Sequence, residues 1–230
     1  MDGLVMAILL LQARLTSSRL PAKGFLSFFD EPIWLRMIRI AKNIKNIDKI
    51  IFAYGGKKGE ELTRSLLSNT EVAFFSGSED NVLERFARAA STHKSDYVIR
   101  ITCDNYLVQP LLIDDLLKGV KEANADYGFI SPLSHYAGEI ISQDLLIDYW
   151  KAGDYSDLAA EHVTYDFRMN PNIKKFTLDE RYKGINHRNS PTLDTLDDFI
   201  LMKKLEDKFP QMEQVNCLSS LQQLDRLDLA

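Results

Sequence analysis

The stretch Leu4-Val-Met-Ala-Ile-Leu-Leu-Leu-Gln-Ala-Arg-Leu-Thr-Ser-Ser-Arg-Leu-Pro-Ala-Lys23 is an apolar run that passes straight into a loop carrying three cations. Residues 4–11 are bounded by polar positions and are too few to cross a membrane, which predicts a first strand buried on both faces. Strands of that kind belong to parallel sheets, and open α/β sheets bind ligands at the carboxyl ends of their strands. Gln12, Ala13, Arg14, Arg19 and Lys23 follow at that end. The loop contains the stiff Leu20-Pro21 step and no glycine, so anion contacts there must come from side chains rather than from a nest of backbone amides. Three cations in ten residues are also what an ordinary solvated surface carries; their place after a buried strand is what favours a triphosphate clamp.

With 230 residues, 45% hydrophobic and 27% charged, the chain can bury a sizeable core as a single domain, residues 1–230, with a small excursion around residues 131–190. A net charge of −5 and a pI near 5.4 exclude the broad basic face that a nucleic-acid binder or an anionic-membrane binder needs. Cys103 and Cys217 stand alone, without the spacing of a disulfide framework or a zinc site, which fits a reducing cytoplasmic compartment. Asp2 and the absence of a basic leader before the first apolar run argue against a signal peptide, and no run is long enough for a membrane span.

Downstream, strand-like runs alternate with helical ones. A helix is predicted over residues 32–41, with Ile33, Met37, Ile40 and Ala41 on one face and Pro32 in its first turn. A strand over 49–54, a helix over 59–67 and a strand over 71–75 follow. Gly77-Ser-Glu-Asp-Asn-Val-Leu-Glu-Arg85 opens the next helix, whose Val82, Leu83, Phe86, Ala89 and Ala90 form a core stripe and whose cap is Ser78 or Asp80. Residues 96–105 read as a strand that delivers Asp104 at its end, either to a metal-bound triphosphate or merely to a turn. A helix over 111–123 and a strand over 126–130 precede a looser pattern at 131–142. A single helix over 159–168, a strand over 170–178, and Asp194 before a Thr195 cap complete the alternation. Residues 213–230 carry a helix-like apolar repeat suited to packing on the domain or on a second subunit. The alternation predicts βαβ units and a mainly parallel sheet.

These motifs resemble those of the spore-coat-polysaccharide F-type nucleotidyltransferases, relatives of the cytidylyltransferases that activate 3-deoxy-manno-octulosonate and acylneuraminate. The matches are Gln12-Ala-Arg14, Ser17, Arg19-Leu-Pro21 and Lys23, then Gly77-Ser-Glu-Asp-x-Val-Leu-x-Arg85, Arg100-Ile-Thr102 with Asp104, Glu161-His-Val-Thr164 and Asp194-Thr195. The resemblance spans nearly the whole chain. It implies a Rossmann-like three-layer α/β nucleotidyltransferase of the nucleotide-diphospho-sugar transferase type. It also implies transfer of a cytidylyl group from CTP to an acidic or amino sugar in surface polysaccharide biosynthesis, with release of pyrophosphate.

On that resemblance Gln12, Ala13, Arg14, Arg19, Lys23, Gly77 and Ser78 bind the nucleotide, and Arg14, Lys23 and Asp104 are catalytic. Asp104 and Asp194 hold Mg2+; Glu139, Glu161 and His162 meet the sugar; a homodimer forms through the acceptor side. The chain departs from the family at Ala22, where glycine is usual, at Cys103, at Asn105-Tyr106 in place of a short residue and proline, and at Leu196 in place of proline. It also lacks the aspartate expected before Glu139. Two rival readings are a glycosyltransferase, whose Asp-x-Asp motif is missing around Asp104, and a catalytically silent nucleotide-binding homologue.

Overall fold

The protein is represented by a computed structural model that describes residues 6–183 and 191–209. β1 (Ala7–Arg14) is followed by a 3-10 turn at Lys23–Phe25, the short hairpin of β2 (Ser27–Phe28) and β3 (Glu31–Pro32), and α1 (Ile33–Ala41). Then come β4 (Ile47–Gly55), α2 (Glu60–Leu67), β5 (Ala73–Gly77), α3 (Val82–Ala90), β6 (Tyr97–Thr102) and α4 (Pro110–Ala123). β7 (Tyr127–Phe129), a 3-10 turn at Ser131–Leu133, α5 (Ser134–Ala137), β8 (Glu139–Ser142) and α6 (Gln143–Ala152) lead to α7 (Asp157–His162) and α8 (Tyr165–Met169). β9 (Lys175–Thr177), α9 (Asp179–Tyr182) and α10 (Leu196–Lys208) close the described chain.

Seven strands form one sheet in the order β5-β4-β1-β6-β8-β7-β9. The pairs β5–β4, β4–β1, β1–β6 and β7–β9 are parallel, and β8 alone runs against its neighbours β6 and β7. The expected mainly parallel α/β architecture is therefore the one observed. Its cause is visible in β1, where Ala7 to Leu11 are all fully buried, as a central strand covered on both faces requires. Leu9 and Leu11 face the layer of α1 and α4, including Ile33, Met37, Leu112 and Leu116. Ile8 and Leu10 face the opposite layer, including Leu83, Phe86 and Leu146. The apolar stripes expected on α1 and α3 are the faces that these helices bury.

Two local expectations are corrected. The run 159–168 is two short helices rather than one, because Val163, between them, has φ 62° and ψ −55° and turns the chain. The cap of α3 is Asn81, whose side chain accepts from the Glu84 backbone, while Ser78 accepts from Asn81 at 3.0 Å one step earlier. Ser78 and Asp80 are thus not the cap: the helix starts one residue later than an Asp80 cap, and three later than a Ser78 cap, would require. The loose pattern at 131–142 resolves into two short turns and β8, which inserts antiparallel beside β6. The apolar repeat at 213–230 and part of the acceptor excursion, residues 184–190, lie outside the described residues.

Candidate active site

The carboxyl ends of β1 and β6, with the segments that follow β8 and precede α10, surround a cleft of about 950 Å³. Asp104 and Asp194 are ninety residues apart, and a short antiparallel contact brings them together. Leu193 N donates to Asp104 O at 2.9 Å, and Asn105 pairs with Thr192 as an isolated bridge. A capping box then fixes the start of α10. Asp198 Oδ2 accepts from Asp194 N at 3.0 Å and Thr195 N at 2.7 Å, and Thr195 Oγ1 accepts from Asp198 N at 3.2 Å. Such a box satisfies the orphan amides at the helix start and holds the Asp194 backbone, which fixes where its carboxylate meets Lys23 and Arg19.

The Lys23 ammonium lies between the two carboxylates, 2.5 Å from Asp104 Oδ2 and hydrogen-bonded to Asp194 Oδ1. Arg19 reaches Asp194 Oδ2 at 3.1 Å from the cleft rim. Burial works against ionisation of Asp194, but Lys23, backed by Arg19, outweighs it and holds the carboxyl below its ordinary value. Asp104 Oδ1 is buried and has no hydrogen-bond partner. A bare carboxylate oxygen beside a second carboxylate is what a divalent cation satisfies, so the donor set fits magnesium. Among the described residues no group of three acidic, histidine or cysteine ligands exists. The remaining positions would then fall to water and phosphate oxygens, the usual manner in which magnesium binds a nucleotide.

Ala22, at the position of the usual glycine, has φ 56° and ψ 24°, in the left-handed region that glycine adopts without strain. The turn closes nonetheless, with Ala22 N donating to Leu15 O at 2.9 Å and Phe25 N to Ala22 O at 2.8 Å.

Gln12, Ala13, Arg14, Arg19, Lys23, Asp104, Glu139, Glu161, His162 and Asp194 all line the cleft. Gly77 and Ser78 lie at the end of β5 and just after it and are not among the residues lining the cleft. A Cβ on Gly77 would stand 3.0 Å from Arg85 Cγ, so the glycine answers to a buried arginine, and Asp80, Asn81 and Val82 reach the cleft instead.

Glu139, at the start of β8, lines the cleft. Its carboxylate is buried and accepts from Arg100 Nη1 at 2.7 Å, Arg168 Nη2 at 2.9 Å, Thr164 Oγ1 at 2.8 and 2.9 Å, and the Tyr127 hydroxyl. Burial alone would raise its pKa; Arg100, the Tyr127 hydroxyl, Arg168 and Thr164 together lower it instead. Both oxygens of Glu139 are engaged, and at the cleft wall it anchors two arginines. Arg100 also donates to Gln12 Oε1 at 3.2 Å. Since arginine only donates, the Gln12 amide oxygen is used and its NH2 group is left to the cleft.

Residue patterns alone missed Arg168, Tyr127 and the part played by Arg100. Their partner Glu139 lies distant in sequence, and only the antiparallel insertion of β8 joins them. His135 on α5 was likewise hidden in the loose pattern. Its Nδ1 lies 3.1 Å from Thr192 Oγ1, which donates to Asn105 Oδ1 at 2.8 Å. Desolvation of the ring lowers its pKa despite the nearby Asp104, Asp194 and Glu139.

A mainly parallel sheet with cations and paired carboxylates at its carboxyl edge defines a nucleotide-handling α/β enzyme. The cytidylyltransferase family model matches residues 8–225. The chain is 28% identical over 229 residues to the spore coat polysaccharide biosynthesis protein SpsF of Bacillus subtilis, covering 95% of this chain and 94% of that one. It is 33% identical over 208 residues to an uncharacterized protein of Methanocaldococcus jannaschii, covering 87% and 83%.

In fold it resembles a cytidylyltransferase from Leptospira borgpetersenii, with TM-score 0.75, 20% identity and coverage of 98% and 99%. It also resembles CMP:2-keto-3-deoxy-manno-octonic acid synthetase complexed with CTP, with TM-score 0.67, 15% identity and coverage of 88% and 99%. The chain belongs to the cytidylyltransferase family and is a nucleotidyltransferase.

Proposed function

We propose that this protein transfers the cytidylyl group of CTP to an acidic or amino sugar, with magnesium as cofactor, for the assembly of a surface polysaccharide. The observation that carries this reading is the meeting of Asp104 and Asp194 around the Lys23 ammonium, with Asp104 Oδ1 left bare at the cleft. The acceptor oxygen attacks the α-phosphorus, the P–O bond to pyrophosphate breaks, and no covalent enzyme intermediate is needed. Arg14, Arg19 and Lys23 offset the phosphate charge. Asp104 and Asp194 would hold magnesium, which supplies charge neutralisation at the triphosphate when bound.

On the acceptor side the Arg100–Glu139–Arg168 cluster offers guanidinium groups at the cleft wall, beside Glu161 and His162. That arrangement suits an acceptor carrying both hydroxyls and a charge. The homodimer, which the family resemblance implies, and the cytoplasmic site of action, which the isolated cysteines fit, belong to the same proposal. No helix among the described residues is long and apolar enough to cross a membrane.

The test is pyrophosphate release from CTP and magnesium across a panel of acidic and amino sugars. Asp104→Asn and Asp194→Asn should each lower turnover by about a hundredfold or more while leaving the melting temperature near that of the wild type. Undiminished magnesium-dependent turnover in either variant overturns the shared-metal reading. Consumption of a nucleotide sugar without pyrophosphate release would indicate a glycosyltransferase instead.

A further inference from the structure

Arg85 is fully buried on α3, and among the described residues its Nε and Nη2 have no hydrogen-bond partner. Its Nη1 donates to two backbone carbonyls, Ser78 O and, at 3.3 Å, Glu79 O. Room for the guanidinium is made by Gly55, where a Cβ would stand 2.5 Å from Nη1. The charge is thus spent on fixing the segment between β5 and α3. The Glu79 side chain continues the connection: it lies over Gly56, where a Cβ would come within 2.5 Å of Oε2, and its Oε1 accepts from the Thr16 hydroxyl. Thr16 stands in the cationic loop between Arg14 and Arg19, and the residues after Glu79, namely Asp80, Asn81 and Val82, line the cleft. Arg85, Glu79 and Thr16 themselves do not line it.

We propose that Thr16, Glu79 and Arg85 form a latch that fixes the cationic loop against the β5–α3 segment, so that a nucleoside triphosphate meets a preset pocket. They are positioning residues, acting through Arg14 and Arg19 on one wall and Asp80 to Val82 on the other. A loop ordered before binding does not have to be ordered by the ligand, and the saving appears as affinity. The latch acts most on the triphosphate tail, because the tail is what the cationic loop contacts. This inference rests on the nucleotide reading of the cleft.

Calorimetric titration of CTP with magnesium, and of CMP, tests it in the wild type, Thr16→Val, Glu79→Ala and the double variant. Each single variant should weaken CTP binding about fivefold, as expected for one lost hydrogen bond, with CMP binding changed less than twofold and the melting temperature nearly unchanged. The double variant should be no weaker than the worse single one, since both remove the same connection. Thr16→Ser, which keeps the hydroxyl, should restore wild-type affinity. Wild-type affinity in Thr16→Val overturns the latch, and so does a double variant whose loss is the product of the two single losses. A wild type that binds no nucleoside triphosphate overturns the nucleotide reading itself, and the latch with it.

Discussion

The three cations of the first loop have different surroundings. Lys23 is largely enclosed and touches both Asp104 and Asp194; Arg19 is mostly exposed and touches only Asp194; Arg14 is exposed in the cleft. An enclosed charge-assisted contact is worth about 1.5–3 kcal/mol, whereas an exposed pair is worth well under that. Lys23→Met should therefore weaken triphosphate binding by roughly 10- to 100-fold. Arg19→Met should cost a few-fold at most by the same reasoning. CMP, which lacks the two outer phosphates, should lose less than CTP in both variants. Competition binding of CTP and CMP checks this, and equal losses for the two nucleotides would mean that the loop does not contact the outer phosphates. These identities were legible in the sequence because charge and proline punctuation are local features. Their unequal burial was not, since it depends on Asp194 arriving from 171 residues beyond Lys23.

Among the elements, the break between α7 and α8 matters most for the acceptor wall. Val163 is fully buried with positive φ, a conformation that a β-branched side chain adopts only when its surroundings impose it. The turn lets Val163 join the core beside Phe86 and Phe167, sends the Thr164 hydroxyl to Glu139, and leaves His162 and Tyr165 at the cleft. Apolar periodicity could not show this break, because both halves are helical and the sequence contains no glycine or proline to mark it. β8 was illegible for a related reason: four residues carry too little alternation to separate a strand from a turn, and its antiparallel direction is set by partners far along the chain. The element reading leads to a division of labour. His162→Ala should raise the sugar KM a few-fold, about 0.5–1.5 kcal/mol for one hydrogen bond, with the CTP KM unchanged. Steady-state kinetics with each substrate varied in turn separates the two. A change confined to the CTP KM would move the histidine to the nucleotide side.

At the scale of the whole molecule, the buried Glu139 cluster joins β6, β7, β8 and α8, four elements that no run of sequence connects. The layered α/β plan was readable because buried strands and amphipathic helices declare themselves locally, as β1 and α3 do. This polar joint was not, because each member looks like an ordinary surface residue until the sheet order places it inside. Its energetics follow from the direction of the Glu139 shift. The folded-state pKa lies below the ordinary glutamate value of 4.5, so the folded protein binds fewer protons there than the unfolded chain. The resulting stability is fully present above pH 4.5 and is lost as pH falls through the lower, folded-state value. Glu139→Gln leaves Arg100 and Arg168 without their shared counter-charge and should cost about 3 kcal/mol at neutral pH, in the range for breaking a buried pair. In acid, wild-type Glu139 becomes protonated and chemically similar to the glutamine, so the two proteins should converge in stability. Denaturant midpoints measured from pH 7 towards pH 3 should show a gap that narrows below pH 4.5, with the wild-type curve steeper there than that of Glu139→Gln. Asp166 and Asp179, whose pKa values are also lowered, keep an acid slope in both proteins, so it is the difference between the curves that reports on Glu139. A gap that stayed constant across this range would show that the carboxylate contributes shape but not charge to the joint.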